Sequence, residues 1–252
     1  MKISILALCF LLLIAVCAAE DTEYFDWKGL KLSSSKNYTG ALTYFDKAIK
    51  QDPKYVDAWV HKGDTLKAMK DYNASLASYY HAVQLNNRSN AAWSGIIDIY
   101  KSLNDYANAT KAASEVTKFD PKNKANWLRE GSFLQTLGLF KESLPKYDGA
   151  LSLDPQYKDA LYQKGISLIA TGNDTGAISL FDRVLAIDPK NKYAYNAKGL
   201  ALEAEGKYAE AQSAYDQAKE IDPRWSQTLV NKMNDLMISG KSKEAMDLFW
   251  VS

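Results

Sequence analysis

A proline recurs along this chain at a fixed spacing. Five of its six prolines stand 34 residues apart or at twice that distance: Pro53, Pro121, Pro155, Pro189 and Pro223. Tryptophans at 59, 93 and 127 and glycines at 131, 165 and 199 repeat with the same period. A fixed period of this length predicts stacked copies of one structural unit, each of which buries its apolar face only against its neighbours.

Each unit is predicted to be a pair of helices. In the unit at 56–89, Trp59, Gly63 and Leu66 recur at i, i+4 and i+7, which places them on one helical face. A turn such as KDY at 70–72 follows, and a second helix carries an aromatic residue, Tyr79 in this unit. Most units then close with Asp-Pro, because the residue before a proline is disfavoured in helical geometry. The aromatic residues and tryptophans at these positions are expected to form the core.

Two units depart from the pattern. The unit at 90–123 has Ile97 where a glycine is expected and Ala113 where an aromatic residue is expected. The two changes nearly offset each other in volume, so we expect the same packing there. The unit at 124–157 has Pro145 near the start of its second helix, where few backbone donors are yet committed, and we expect only a small bend.

The pattern resembles the tetratricopeptide repeat. The resemblance implies an all-α fold, a right-handed α-solenoid of antiparallel helix pairs that forms a superhelix. Six full repeats and a partial seventh are predicted, and we number them in chain order: 22–55, 56–89, 90–123, 124–157, 158–191, 192–225 and 226–252.

The first nineteen residues differ from the rest. They have Lys2 near the amino terminus, an uncharged stretch from Ile3 to Ala19, and small residues at the end, which is typical of a secretory signal peptide cleaved after Ala19. An uncleaved membrane anchor and lipidation at Cys17 are the alternatives, since the uncharged stretch reaches the lower limit of a bilayer span. All three interpretations place residues 20–252 outside the cytoplasmic membrane, extracellular or in the cell envelope, with membrane contact only through the N-terminal segment.

The composition argues against several kinds of chemistry. Both cysteines lie in the first nineteen residues, and the two histidines, His61 and His81, have no metal-ligand spacing. We therefore expect no metal, no cofactor and no enzymatic activity. The net charge is +1 for the whole chain and falls to zero without Lys2. A neutral chain lacks the basic surface that nucleic acids require.

The resemblance also implies a binding groove. In this family the first helices of successive repeats line a concave groove that holds a peptide or protein. The positions predicted to face it are Asp64, Lys67, Asp98, Lys101, Leu128, Tyr162, Ile166, Asn196, Leu200 and Val230. Their character changes along the chain, which suggests a charged end that sets register and an apolar end that supplies affinity. The alternative is that closure of the superhelix covers some of these residues.

Two further features concern partners and export. The C-terminal MDLFWVS carries Phe249 and Trp250 on the partial repeat, and these residues are a candidate for self-association into a homo-oligomer. Five N-x-S/T sequons are candidates for N-glycosylation and are predicted at helix turns, the start of second helices or the ends of repeats: Asn37, Asn73, Asn87, Asn108 and Asn173. The combination of leader, sequons and regular repeats resembles exported tetratricopeptide proteins of archaea.

The sequence supports three functional hypotheses. The first is a non-catalytic scaffold that binds a peptide or protein in its groove outside the cytoplasmic membrane. The second is a structural envelope component that self-assembles through its C-terminal end. The third is a module that recruits a separate enzyme. The repeat positions that specify the fold do not identify a ligand.

Overall fold

The computed structural model describes residues 21–223. Within this range every regular element is an α-helix and no strand occurs. We number the helices in chain order, and the first, α1, occupies residues 21–34. The others are α2 (Tyr38–Gln51), α3 (Val56–Ala68), α4 (Tyr72–Leu85), α5 (Asn90–Ser102), α6 (Tyr106–Phe119), α7 (Lys124–Thr136), α8 (Phe140–Leu153), α9 (Lys158–Ala170), α10 (Asp174–Ile187), α11 (Lys192–Ala204) and α12 (Tyr208–Ile221). The predicted all-α repeat fold is confirmed.

The helices belong to two compact units, divided between Phe119 and Asp120. The N-terminal unit contains α1–α6 and the C-terminal unit contains α7–α12. Within each unit, helices that follow one another pack together, and the first helices of neighbouring repeats also touch, as α3 does with α5 and α9 with α11. Connections of a few residues between packed helices produce antiparallel neighbours.

Helix ends follow from local chemistry. The aspartate of the repeated Asp-Pro leaves helical geometry because a proline follows it. Asp52 and Asp154 end their helices in extended conformation, with φ of −134° and −144°. Helix starts are capped by polar side chains in most repeats. Asn37 Oδ1, for example, accepts a hydrogen bond from the backbone N–H of Gly40, which satisfies an amide at the start of α2. Helix α8 continues through Pro145.

The core is built on contacts between a glycine and an aromatic ring. Phe45, Tyr79, Tyr147 and Phe181 of the second helices are all 0% exposed. The ring of Phe181 lies against Gly165 of the first helix, so close that a Cβ at Gly165 would stand 2.7 Å from its Cε1 atom. The glycine therefore provides the space in which the ring packs. In repeat 3, Ile97 and Ala113 occupy the same two positions and are 2% and 0% exposed.

The turn between the paired helices needs a left-handed residue. In the C-terminal unit this residue is Gly138, Gly172 or Gly206, with φ from 74° to 79°. In the N-terminal unit the same position holds Lys36, Lys70 and Asn104, with φ from 56° to 63°. Glycine adopts this conformation without steric cost and lysine does not, so the turns at Lys36 and Lys70 carry local backbone strain.

Candidate functional site

Three of the four predicted charged positions of the N-terminal unit form one ion-paired set. Lys67 Nζ on α3 lies 3.7 Å from Oδ1 of Asp64 and 3.4 Å from Oδ2 of Asp98 on α5. Lys67 therefore joins the first helices of repeats 2 and 3. The side chains of Asp64 and Asp98 are 53% and 56% exposed. Lys101, three residues after Asp98 in α5, is also exposed. These four residues, which we call the charged face, can contact a partner directly.

A buried tyrosine fixes one member of the charged face. The hydroxyl of Tyr79 donates a hydrogen bond to Oδ1 of Asp64 at 2.6 Å, although the ring itself belongs to the core. Burial raises the pKa of the Tyr79 hydroxyl well above its ordinary value, and the bond to Asp64 raises it further. Tyr79 therefore stays protonated and keeps donating. A core residue thus holds a surface carboxylate in a defined position.

A second polar contact in this unit was not predicted. Nδ1 of His61 on α3 lies 2.8 Å from Oδ1 of Asp26 on α1, and Asp26 is only 5% exposed. Burial alone would lower the pKa of His61, but the hydrogen bond and charge of Asp26 outweigh it, and the net direction is upward. His61 therefore links repeats 1 and 2, and the contact with Asp26 favours its protonated form. In the sequence neither residue stands in a recognisable motif, because the two are brought together only by helix packing.

The predicted apolar positions of the C-terminal unit are less accessible. Leu128, Tyr162 and Leu200 are half-buried. The ring of Tyr162 lies 5.8 Å from that of Phe181, and burial raises the pKa of the Tyr162 hydroxyl above its usual range. We call these three residues the apolar face. Part of each side chain is exposed and can contact a partner, and Tyr162 also packs against the core.

Two predicted groove positions lie in the interior. Ile166 is 6% exposed and packs in a cluster that includes Phe181 and Ala197, and Asn196 is 4% exposed. The expectation that these side chains face an open groove needs correction. Side chains of α10 and α11 in this cluster cover Ile166. Val230 lies outside the described residues, as do Phe249 and Trp250.

A buried polar network joins two repeats of the C-terminal unit. Gln135, the twelfth residue of repeat 4, is 6% exposed. Its Nε2 donates to the carbonyl of Gln163 and to Oγ of Ser167, each at 2.7 Å, and its Oε1 accepts from Tyr147 at 2.6 Å. The Gln135 side chain thus links repeats 4 and 5. It contributes to the fold of the C-terminal unit, where satisfied buried polar groups specify one packing arrangement.

Comparison with known proteins was made on both sequence and structure. Family models described as tetratricopeptide repeat match residues 44–77, 134–201 and 192–225, which together make up half of the chain. The chain is a tetratricopeptide repeat protein. Members of this family are generally non-catalytic modules that bind peptides or proteins. The comparison with curated proteins found no match.

Solved structures share the fold at low sequence identity. YrrB, described as a TPR protein with an unusual peptide-binding site, is 23% identical, with a TM-score of 0.61 over 71% of this chain and 92% of its own. MamA is 19% identical, with a TM-score of 0.58 over 66% of this chain and 96% of its own. A tetratricopeptide repeat protein from Parabacteroides merdae is 14% identical, with a TM-score of 0.62 and 91% of each chain covered.

Ion pairs recur with the tetratricopeptide period in the C-terminal unit. The first residue of each repeat pairs with the aspartate of its closing Asp-Pro: Lys124 with Asp154, Lys158 with Asp188 at 2.9 Å, and Lys192 with Asp222 at 2.7 Å. The bond from Lys158 lowers the pKa of Asp188. The Asp-Pro dipeptide therefore ends a helix and also closes its repeat. The sequence contained this signal, as a lysine thirty residues before each such aspartate.

The five sequons differ in their surroundings. Asn37, Asn73, Asn87 and Asn173 are exposed, and Asn37 and Asn173 cap helices through Oδ1. Asn108 is half-buried, and its Nδ2 donates to Oδ2 of Asp105 at 2.7 Å. Since Nδ2 is the atom that a glycan would join, Asn108 is the least available of the five.

The described part of the chain was searched for metal and membrane features. No group of three or more histidine, cysteine, aspartate or glutamate side chains between residues 21 and 223 is arranged to hold a metal ion. Over the same residues, no helix has the length and hydropathy needed to span a bilayer.

Proposed function

We propose that this tetratricopeptide repeat protein is a non-catalytic scaffold that binds a peptide or protein segment through its first helices, outside the cytoplasmic membrane. The charged face of the N-terminal unit is the principal contact surface. The apolar face of the C-terminal unit is a second, separate contact surface. Family membership supports the general role, and the peptide-binding site of YrrB, which has the same fold, supports a peptide as the ligand.

The charged face is the observation that carries the proposal. Lys67 is held between Asp64 and Asp98, and Tyr79 anchors Asp64 from the core. A preorganised surface loses less conformational entropy on binding than a set of mobile side chains does. Asp98 and Lys101 place an acid and a base one turn apart on α5, so a segment with complementary charges would bind in one register.

A matched pair of variants tests this surface. Asp98→Lys with Lys101→Glu reverses an exposed acid and an exposed base three residues apart on α5. The control, Glu115→Lys with Lys118→Glu, reverses an acid and a base at the same spacing on α6 of the same repeat, where the two form an exposed ion pair at 2.6 Å. Both variants keep the net charge of the chain.

The measurement is affinity capture from an extract of the source organism's cell envelope, followed by titration of each captured protein. We expect a partner to bind the parent and the α6 control alike and to bind the α5 variant at least about tenfold more weakly, with the difference reduced at high salt. Equal binding by all three proteins would contradict a role for the charged face. Circular dichroism must show that both variants are folded.

Export is a separate part of the proposal, supported by the leader and the sequons. Mass spectrometry of the protein from its native source tests it. Loss of residues 1–19, together with glycan mass on peptides that contain Asn87 or Asn173, is the expected result. An intact, unmodified chain recovered from the cytoplasm would contradict it.

A further inference from the structure

Helix α1 carries an exposed aromatic face. Tyr24 and Trp27 are each 52% exposed and Leu30 is 41% exposed. Exposed Glu23 and Lys31 flank them, and the spacing of these five residues places them on one helical face. The ring centroids of Tyr24 and Trp27 are 6.0 Å apart, and Lys31 Nζ lies 5.4 Å from the centre of the Trp27 ring. These five residues are called the α1 face.

In repeats 2–6 the third and tenth residues, which correspond to Tyr24 and Lys31, are buried. Tyr24 is the third residue of its repeat, and the third residues of repeats 2, 3, 5 and 6 are alanines with no exposure: Ala58, Ala92, Ala160 and Ala194. In the C-terminal unit the preceding repeat covers this position, since Ala194 of α11 packs against Leu161 of α9 and Val184 of α10. Terminal repeats of solenoids normally present a polar outer face. The α1 face is instead aromatic, which indicates an interaction surface.

We propose that the α1 face is covered by the α1 face of a second copy of this chain, with the two helices antiparallel about a two-fold axis beside Trp27. At Tyr24 and Lys31 the face occupies positions that are buried in repeats 2–6. However, its partner differs from a preceding repeat, because the later repeats have only alanine or, in repeat 4, asparagine at the third position, and Tyr24 is far too large for that close approach. A helix that meets Tyr24 and Trp27 at a larger separation fits better.

The charges on α1 are self-complementary in this arrangement. Antiparallel pairing about Trp27 sets Glu23 opposite Lys31 of the second copy and Tyr24 opposite its Leu30. Within one copy, Glu23 and Lys31 are separated by about 12 Å of helix rise and do not pair. The two-fold axis forms each contact twice. One helix per copy is a small interface, so we expect a weak, reversible dimer.

Sedimentation velocity of the full chain over a wide range of concentration tests the dimer. We expect a monomer–dimer equilibrium, and Trp27→Glu should raise the dissociation constant at least about tenfold because it buries a charge at the centre of the interface. The control is Tyr208→Glu, which alters a residue that is 70% exposed on α12. It should leave the equilibrium unchanged.

Charge reversal tests the antiparallel arrangement itself. Glu23→Lys and Lys31→Glu should each weaken the dimer, because each places like charges opposite one another twice. The double variant exchanges the two charges and should restore dimerisation. A general effect on folding would not be reversed in this way, and circular dichroism of all three variants checks it.

Several results would overturn the proposal. These are a monomer at every concentration, mass that grows beyond a dimer, or a double variant no better than the single ones. A dimer unaffected by Trp27→Glu would also overturn it and would place self-association elsewhere, such as at Phe249 and Trp250.

Discussion

The glycine–aromatic contact of each repeat can be tested by exchanging its two members. Repeat 3 already has isoleucine and alanine where repeat 5 has Gly165 and Phe181, and both Ile97 and Ala113 are buried. If the two positions share one volume, the pair from repeat 3 should function in repeat 5, although each single exchange should be harmful.

The expected magnitudes follow from the packing of Phe181. Its ring is 0% exposed, so Phe181→Ala should cost about 3–5 kcal/mol of unfolding free energy through lost burial and a cavity. Even a Cβ at Gly165 would stand 2.7 Å from Cε1 of that ring, so Gly165→Ile forces the ring to move and should cost at least about 1–3 kcal/mol. The double variant fills the cavity with the new isoleucine. We expect the double variant to be more stable, by about 2 kcal/mol or more, than the summed effects of the two single variants predict.

Urea unfolding followed by circular dichroism gives the four free energies of this double-mutant cycle. Because repeat arrays can unfold in parts, hydrogen exchange of α9 and α10 amides should report the same order of stability locally. The control cycle combines Gly165→Ile with Phe45→Ala, whose ring packs instead against Gly29, and should be additive within about 0.5 kcal/mol. Additive effects in the Gly165 and Phe181 cycle would refute the shared-volume argument.

Three further predictions concern features that the sequence analysis did not predict. Because Asp26 raises the pKa of His61, the contact stabilises the N-terminal unit fully below about pH 6.5, and this contribution is lost as the pH rises through the folded-state pKa. The urea midpoint of the parent should therefore fall as the pH rises across that range, and the midpoint of Asp26→Asn should fall much less. Lys158→Gln should cost less than about 1 kcal/mol, and the loss should vanish in urea titrations at high salt; a larger loss that persists at high salt would contradict a surface ion pair. Lys70→Gly should raise the melting temperature, gaining up to about 1 kcal/mol, because φ at this position is 63°; an unchanged or lower melting temperature would show that the turn is not strained.

The predicted contact face shows where sequence reasoning succeeded and where it stopped. Asp64, Lys67 and Asp98 were chosen by repeat position, and the structure brings them into one ion-paired set. Ile166 and Asn196 were chosen by the same rule and are buried. Equivalent positions therefore share a direction on the helix but differ in exposure, because exposure depends on how closely the neighbouring helix approaches.

The sequence by itself determined the helix pairs and their repetition. Residues at fixed spacing decide which face of a helix is apolar, and Asp-Pro and the turn residues decide where it ends; both are local effects that recur every 34 residues. Only the tertiary structure decided which side chains from different repeats meet, such as His61 with Asp26 and Gln135 with Ser167. Those contacts depend on the distance and rotation between packed helices, which arise from the fit of whole surfaces and are not written in any one repeat.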